Sequence, residues 1–381
     1  MNILFLIYHG FSEASGISKK IHYQINGLRR LGHQVFVCTY DIREDGHKVR
    51  FVDDQPLQDF GNGRLAAMKK RCCYGSVVKF AIDKNIDFVY ARSFHNANPF
   101  TIKMFKAFKK AGIKSVIEIP TYPYDQEYSG YGKKDLMELA VDKMFRKTLA
   151  KQTDSIVTFT QEKEIFGQRT TRISNGIELE AIPLRRETQK AANEKLNFIG
   201  VAEVHYWHGF DRFVAGIGEY YKNGGTRDMT FHIVGGVADG DMNGADNPIA
   251  FAKIIEKYGI EDKIVFHGQK FGEELNELFA NADFAVASLG RHRSGITYIK
   301  TLKNREYAAR GLGFIYSEID GDFEEKPYIL KAPADESPIN IEQVVDFVDR
   351  LTMTPETIRQ SIYDLTWEKQ MEKVVNEVIA L

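Results

Sequence analysis

The chain has 381 residues, 43% hydrophobic and 27% charged, with a net charge of −1, a composition that excludes disordered and collagen-like classes. Its longest apolar runs, 2–8 and 283–289, fall far short of the ~20 residues that span a bilayer. Three cysteines, Cys38, Cys72 and Cys73, cannot build a disulfide framework. No basic segment precedes an apolar leader, so a cytoplasmic protein is expected. The near-neutral total hides an asymmetry. Residues 1–180 hold 28 Lys and Arg against 20 Asp and Glu, while the remainder holds 23 against 32. A basic first half suits an anionic membrane surface or a phosphorylated substrate.

In chain order, Asn2 to Tyr8 reads as a strand, and Gly16 to Leu31 as a helix with Ile17, Ile21, Ile25 and Leu28 at three- and four-residue spacing. Gly32 is its cap, and Gln34 to Tyr40 is the next strand. The loop from His9 to Gly16 feeds a helix N-terminus whose N–H groups favour an anion, but Gly10 and Gly16 lack the spacing of a dinucleotide fingerprint. Helical periods at 64–84, 100–111 and 133–151 then alternate with strands at Phe88–Ala91, Ser115–Ile119 and Ser155–Phe159. Within Thr101 to Lys114, Ile102, Phe105 and Phe108 share one side and Lys103, Lys106 and Lys110 another. That pattern fits a solvated helix or a patch resting on an anionic membrane.

The polar stretch 185–195 reads as a linker. Beyond it come strands Leu196–Ala202, Met229–Gly235, Lys263–Gly268, Asp283–Ser288 and Gly313–Ser317, with helices near 209–222, 249–258, 272–281 and 298–310. Alternation of this kind predicts an α/β protein of two Rossmann-like, doubly wound domains, 1–183 and 184–365, facing across a cleft.

The stretch 283–317 carries the strongest chemical signal. Arg291, His292 and Arg293 crowd a turn in which Ser294, Gly295, Ile296 and Thr297 precede a helix expected near Tyr298, so their N–H groups are placed for a phosphate. Glu306 shares a helical stripe with Leu302 and Arg310; it is placed to accept ribose hydroxyls, or is a surface carboxylate with Lys303 as neighbour. In the first half, Thr121, Tyr122, Tyr124 and Asp125 follow a strand as an aromatic, hydroxyl-rich loop, either a wall for a sugar acceptor or a Pro-stiffened turn on the core. Arg92, His95 and Asn96 stand at another strand end. The loop from Asp239 to Gly244 imitates the start of a calcium loop, but its twelfth position is Ala250, and no metal is expected.

The run from Glu306 through Arg310, Gly311 and Gly313 to Ile315 resembles the nucleotide-sugar site of retaining GT-B glycosyltransferases of family four, where a Glu, seven residues and a second Glu precede a glycine and a strand. The resemblance implies that Glu306 holds the nucleotide ribose. The family's first Glu falls at 298, where this chain has Tyr298. Gly200 to Glu203 and Trp207 to Asp211 resemble the family's G…KG segment, with His208 at the Lys position beside Gly209 and Glu203 or its neighbour at the Arg position. Arg212, Arg293 or Lys303 would then supply the missing charge. Gly235 and Gly236 resemble the turn beneath the nucleotide, His267 and Gly268 the strand end against the base, and Asn175-Gly176-Ile177 the turn before the linker. Thr366-Trp367-Glu368 and the helix to Leu381 resemble the terminal helix that crosses back onto the first domain, so the resemblance covers nearly the whole chain.

What it implies is a glycosyltransferase moving a sugar from a nucleotide-diphosphate donor to an acceptor hydroxyl with retention, without cofactor or metal, in bacterial surface polysaccharide or glycan synthesis. The catalytic residues would be His208 and Tyr298. Donor binding would fall to Gly209, Arg212, Gly235, Gly236, His267, Gly268, Arg293, Ser294, Gly295, Ile296, Thr297, Lys303 and Glu306, and acceptor binding to Gly16, Arg92, Thr121, Tyr122, Tyr124 and Asp125. The acceptor would be a glycan or lipid-linked, with no nucleic acid and with peripheral membrane contact through the basic first domain. The alternatives are a nucleotide-sugar epimerase of the same fold, or a non-catalytic homologue serving as an assembly partner.

Overall fold

The computed structural model describes residues 1–12, 16–92, 97–125, 132–186, 194–244, 247 and 249–380. His95, Asn96 and part of the loop before Gly16 lie outside them. The chain divides into two compact units, Met1–Ser174 with Trp367–Leu381, and Asn175–Thr366.

The first unit is built on nine strands: β1 (Asn2–Leu6), β2 (Gln34–Ile42), β3 (Lys48–Val52), β4 (Gln55–Asp59), β5 (Phe88–Arg92), β6 (Lys114–Ile119), β7 (Ser155–Thr158), β8 (Glu164–Ile165) and β9 (Gln168–Arg172). Their order is β4-β3-β2-β1-β5-β6-β7-β9-β8. The sheet is parallel from β2 to β9, with antiparallel pairs at both edges. Its helices are α1 (Gly16–Arg30), α2 (Gly63–Cys72), α3 (Gly75–Asp83), α4 (Pro99–Lys110) and α5 (Lys133–Ala150). Side chains alternate across a strand, so β1 sends Ile3 and Phe5 to the α1 side and Leu4 and Leu6 to the α3–α4 side. Both faces are covered, which is why the central strands read as unbroken apolar runs.

Three expectations change here. The hairpin β3–β4 turns at Asp53 and Asp54, both with positive φ, and carries no glycine to signal it. The single helix expected over 64–84 is two. Buried Arg50 donates to the carbonyls of Cys73 (2.7 Å) and Lys70 (3.0 Å), so α2 ends on a guanidinium before α3 begins. On α4, Ile102, Phe105 and Phe108 belong to the core. That side is therefore unavailable to a membrane, while Lys103, Lys106 and Lys110 are exposed, together with Phe100 in the helix's first turn.

The second unit has six strands, β10 (Leu196–Val201), β11 (Met229–Val234), β12 (Ile264–Phe266), β13 (Phe284–Val286), β14 (Gly313–Tyr316) and β15 (Ile329–Lys331), all parallel in the order β12-β11-β10-β13-β14-β15. The order reverses between β10 and β13, the place where loops part and ligands bind in such sheets. Its helices are α6 (Phe210–Lys222), α7 (Asp239–Asn243), α8 (Phe251–Tyr258), α9 (Gly272–Ala280), α10 (Leu302–Ala309), α11 (Ile341–Arg350) and α12 (Pro355–Gln360). This unit starts at Asn175 rather than at 184. The Asn175 amide donates to the Lys300 carbonyl (2.9 Å) and its own carbonyl accepts from Arg305 Nε (2.8 Å), so the chain is fastened to the second unit before the polar stretch begins.

After it, α13 (Trp367–Ile379) packs against α1 within the first unit, with Trp367 buried. The contact is backbone to backbone: a Cβ added at Gly27 would stand 2.9 Å from the Trp367 carbonyl oxygen. Among the described residues, no helix is long and apolar enough to cross a membrane.

Gly27→Ala should therefore lower stability by about 1–3 kcal/mol through overpacking. Gly75→Ala, where a Cβ meets nothing within 4 Å, should stay within about 0.5 kcal/mol of the parent. Urea unfolding of the two variants checks this; equal midpoints would show that the α1–α13 approach is not tight.

Candidate functional site

At the reversal point of the second sheet, the loops after β10 and β13 meet through glycines. Gly209 has φ +65°, and a Cβ there would lie 2.5 Å from the backbone nitrogen of Gly290. The Leu289 N–H donates to the His208 carbonyl (2.8 Å) across the same seam. Gly235, with φ +127°, brings the end of β11 so close to the β10 loop that a Cβ would be 1.7 Å from the Ala202 carbonyl. Both positions need glycine for conformation and for space.

Two arginines brace these loops. Arg212, almost fully buried on α6, donates to the carbonyls of Leu289, Pro333 (3.0 Å) and Ser337 (2.8 Å) and to Asp335 (3.2 Å). Arg293 makes a bidentate pair with Asp211 (2.8 Å to each oxygen) and further bonds to Glu336 and the Tyr206 carbonyl. Those carboxylates hold the Arg293 guanidinium well above its usual pKa, against the cost of burial. Both were expected to supply charge to a ligand. Their donors are instead consumed by the protein.

The turn at 291–297 also differs from expectation. Arg291–Ser294 is a 3-10 turn, and the N–H groups of Gly295 and Ile296 donate back to His292 (2.9 Å) and Arg291 (3.2 Å), while the Ser294 hydroxyl donates to the Arg291 carbonyl. These groups do not form the expected phosphate cradle. The helix starts at Leu302, not near Tyr298, because Tyr298 lies in extended backbone bridged to Ile319. Ile319 donates to the Thr297 carbonyl (2.8 Å) and accepts from the Ile299 N–H (3.0 Å). Tyr298 turns its hydroxyl toward Gly321.

That bridge sets Glu318 beside the 297–299 segment. Glu318 is 2% exposed, and among the described residues neither carboxyl oxygen meets a donor other than its own backbone N–H. Burial pushes it up to about 7, against the pull of Arg291 and Lys331. Facing it electrostatically are Lys303, whose buried Nζ has no hydrogen-bond partner among the described residues, and Arg291, whose Nε is likewise unpartnered. Burial pushes Lys303 down to about 7, Arg291 adds to that, and Glu318 opposes it. His208, buried beside them, is driven down to about 2 by burial and then by Lys303 and Arg291. Its Nδ1 accepts the His205 N–H (3.0 Å), which leaves the proton of the neutral ring on Nε2. His208 therefore offers a neutral donor, not the positive charge expected of it.

Unpaired buried polar atoms are costly and each calls for a physical account, so a group of charged ones at the reversal point of the sheet is the candidate ligand site of this unit. Lys303 was among the expected residues. Arg291 was read as positive charge beside the turn but not named among the donor-binding residues, and Glu318, two residues after β14, was not singled out at all.

The remaining positions are distributed around this cluster. Glu306, half-exposed on α10, accepts at Oε1 from Arg310 Nε (3.1 Å) and Nη2 (3.0 Å), so its helical partner is Arg310 rather than Lys303. The Gly235 N–H donates to the Gly268 carbonyl (2.7 Å), and Gly236 accepts from Val204 (2.7 Å). His267 is paired to His232 (2.9 Å), which reaches Asn197 (3.4 Å). Burial first, and then the Lys270 charge, lowers His267.

In the first unit, Arg92 ends β5 with its Nε 3.6 Å from Glu118, and its buried Nη1 has no partner among the described residues. Glu118 is fully buried and accepts from Tyr90 (2.5 Å) and Gln24 (2.6 Å), with Lys20 4.0 Å away. Burial would raise the Glu118 carboxyl, but Lys20 and Arg92 outweigh it and hold it below its usual range. Gly16 opens α1 on this unit. The expected aromatic wall is largely structural. Tyr124 is buried with its hydroxyl on Asp142 (2.6 Å), Asp125 is paired to Arg146 (2.6 Å) and Lys143 (3.1 Å), and Tyr122 packs edge-on against Phe166. The loop folds onto α5, which claims those polar groups; Thr121 stays exposed.

Arg212→Leu should cost about 3 kcal/mol or more, since it strands carbonyls of three residues in the interior. Loss of less than about 1 kcal/mol in denaturant unfolding would remove Arg212 as the brace of these loops.

No protein-family model matches this sequence, and no curated protein does. Solved structures do match along the whole chain. HepE of Anabaena in complex with UDP-glucose has a TM-score of 0.50 at 13% identity, covering 100% of both chains. A trehalose-6-phosphate structure from E. coli bound with UDP-2-fluoro glucose has a TM-score of 0.53 at 15% identity, covering 100% of this chain and 99% of that one. The pneumococcal O-GlcNAc transferase GtfA, in complex with UDP and GlcNAc, has 0.53 at 12%, covering 100% and 99%. The architecture shared with these structures makes the fold of this chain that of the GT-B glycosyltransferases.

Proposed function

We propose that the protein is a glycosyltransferase that moves a hexose from a nucleotide-diphosphate sugar, of the UDP type, to an acceptor hydroxyl with retention. The observation that carries this reading is the set of unpartnered buried atoms, Lys303 Nζ, Arg291 Nε and the Glu318 carboxyl, at the reversal point of a GT-B sheet. UDP or UDP-sugars accompany three of the similar structures, which supports the donor class.

In this reading Lys303 and Arg291 neutralise the diphosphate as the glycosidic bond breaks, a preorganised charge that needs no reorganisation at the moment of reaction. The scheme assigns no cofactor or metal, since side chains supply the charge. His208 donates Nε2–H as a neutral group. Glu318 accepts hydroxyls of the transferred sugar, taking the part of the carboxylate that position 298 lacks. Glu306 meets the ribose while Arg310 holds one of its oxygens. Arg92 and Thr121 are the acceptor-side residues that survive the packing of their loop. The acceptor is a glycan or a lipid-linked one, and the setting is surface glycan assembly on the cytoplasmic side of a bacterial membrane.

Because Lys303 titrates near 7 and a bound diphosphate favours its ammonium form, binding takes up a proton above pH 7. UDP should bind about tenfold more weakly at pH 8 than at pH 6, and Lys303→Met should lose both the affinity and that slope. Calorimetry in buffers of different ionisation heat reads the proton uptake directly; a pH-independent affinity in the parent overturns the role of Lys303.

Glu318→Gln should leave UDP binding near the parent value yet remove the extra thermal shift given by a UDP-sugar over UDP. Glu306→Ala should weaken both ligands by about tenfold. If it binds nucleotide as well as the parent does, the ribose assignment fails.

A further inference from the structure

Beyond the carboxyl end of β1, the first unit closes around a small cleft that takes no part in the donor cluster. Tyr8 follows β1, and Tyr40 and Arg50 are register partners on β2 and β3. Lys70 and Arg71 come from the last turn of α2, and Tyr74 stands between α2 and α3. These six side chains line the cleft, and among the described residues no carboxylate does. The carboxyl ends of parallel strands are where ligands sit in sheets of this kind.

Two features of the lining stand out. Arg50 is 3% exposed, yet among the described residues it has no carboxylate partner; its bonds go to the carbonyls of Cys73 and Lys70 and, at 3.4 Å, to Gln58 Oε1. The end of α2 offsets about half an elementary charge, so positive charge remains where an arginine is almost never left without a counter-charge. Lys70 adds a second cation, its Nζ 3.5 Å from the centre of the Tyr40 ring, whereas Arg71 is paired to Glu138 (2.7 Å). The second feature is the phenols. Tyr40 and Tyr74 are buried and Tyr8 half-buried, but none of the three hydroxyls makes a hydrogen bond to another described residue. Burial pushes Tyr74 up to about 12 and raises Tyr8 and Tyr40 as well, with Arg50 pulling the other way. At neutral pH each hydroxyl therefore keeps its proton and can donate it to an acceptor.

We propose that this cleft binds an oxyanion, a carboxylate or phosphate group, with Arg50 and Lys70 supplying the charge and the hydroxyls of Tyr8, Tyr40 and Tyr74 donating to its oxygens. Charge and donors together select this ligand. A neutral sugar would occupy the hydroxyls and leave Arg50 without a counter-charge, and a cation would meet like charge. An oxyanion answers both needs, and hydrogen bonds to an ionised acceptor are roughly twice as strong as neutral ones. The interior has room for about two water-sized groups, so the anionic group enters and whatever carries it stays outside. Two sources share this chemistry, an acidic group on the sugar acceptor and a free anion. The first rests on the glycosyltransferase reading; the oxyanion site itself does not.

Calorimetric titration of the full-length protein with inorganic phosphate, acetate, glucuronate and glucose, at fixed ionic strength in chloride, tests the site. At least one of the three anions should bind saturably and glucose should not. Glucuronate about tenfold tighter than acetate would give the anion to a sugar, and equal affinities would give it to a free anion; the oxyanion site stands in both cases. Tyr40→Phe and Tyr74→Phe should each weaken anion binding about tenfold. Their unliganded Tm should stay within about 3 °C of the parent, because the lost hydroxyls have no protein partner. No saturable anion binding in the parent, glucose binding as tightly as glucuronate, or undiminished anion binding in the Tyr40→Phe, Tyr74→Phe double variant overturns the inference. So does a larger fall in the unliganded Tm of the single variants, which would show that the hydroxyls serve the packing. Failure of the donor reading would remove the thermal shift with UDP and leave anion binding unchanged.

Discussion

The seam between the loops after β10 and β13 depends on Arg212. Its guanidinium spends its donors on the carbonyls of Leu289, Pro333 and Ser337 and on Asp335, and so holds three stretches of backbone against α6. Arg293 does the same from the other side through Asp211 and Glu336. With these two arginines paired, the loops stay in place without help from Lys303 and Arg291. Lys303 Nζ and Arg291 Nε, without a hydrogen-bond partner among the described residues, take no part in that bracing, and in the proposed reading they meet the charge of a bound diphosphate.

This arrangement has a cost in stability. A lysine held near neutrality and a carboxyl raised into the same range are each less comfortable inside than in water, and among the described residues neither has a hydrogen-bonding side chain that repays the burial. The cluster persists because the surrounding backbone over-determines it: Arg305, fully buried, ties α10 to Asp320 (2.8 Å) and to the Asn175 carbonyl, and the bridge of Tyr298 with Ile319 sets the register of Glu318. The first unit uses a different solution around Glu118, where Tyr90, Gln24, Lys20 and Arg92 converge on one carboxylate; among the described residues, Gln24 Oε1, Arg92 Nη1 and Glu118 Oε1 of that group are without a hydrogen-bond partner.

Much of the architecture was legible in the residues. Continuous apolar runs bounded by glycine, alternating with helical periods, describe parallel strands covered on both faces, and the strands at 2–8, 88–91, 196–202 and 313–317 stand where that pattern puts them. The β3–β4 hairpin was not legible, since two aspartates make its turn, and neither was the break between α2 and α3, which rests on a guanidinium brought from β3. For the site, a basic glycine-bearing turn ahead of a helix pointed to the stretch that holds the unpartnered atoms of Arg291 and Lys303, but the N–H groups of Gly295 and Ile296 expected to be open are bonded within the turn.

The sequence by itself determined the alternation of strand and helix, the glycines at 209 and 235, and the crowding of positive charge after β13, because periodicity, backbone conformation and composition are local properties. Only the tertiary structure decided which charges are spent and which remain. Arg212 and Arg293 look no different in sequence from Arg291 and Lys303, yet the partners of Arg212 come from 289 and 333–337 and those of Arg293 from 206, 211 and 336, far along the chain. Glu318 stands beside the 298 position through a bridge between segments twenty-one residues apart. Pairing is a matter of distance in space, and no local pattern encodes it.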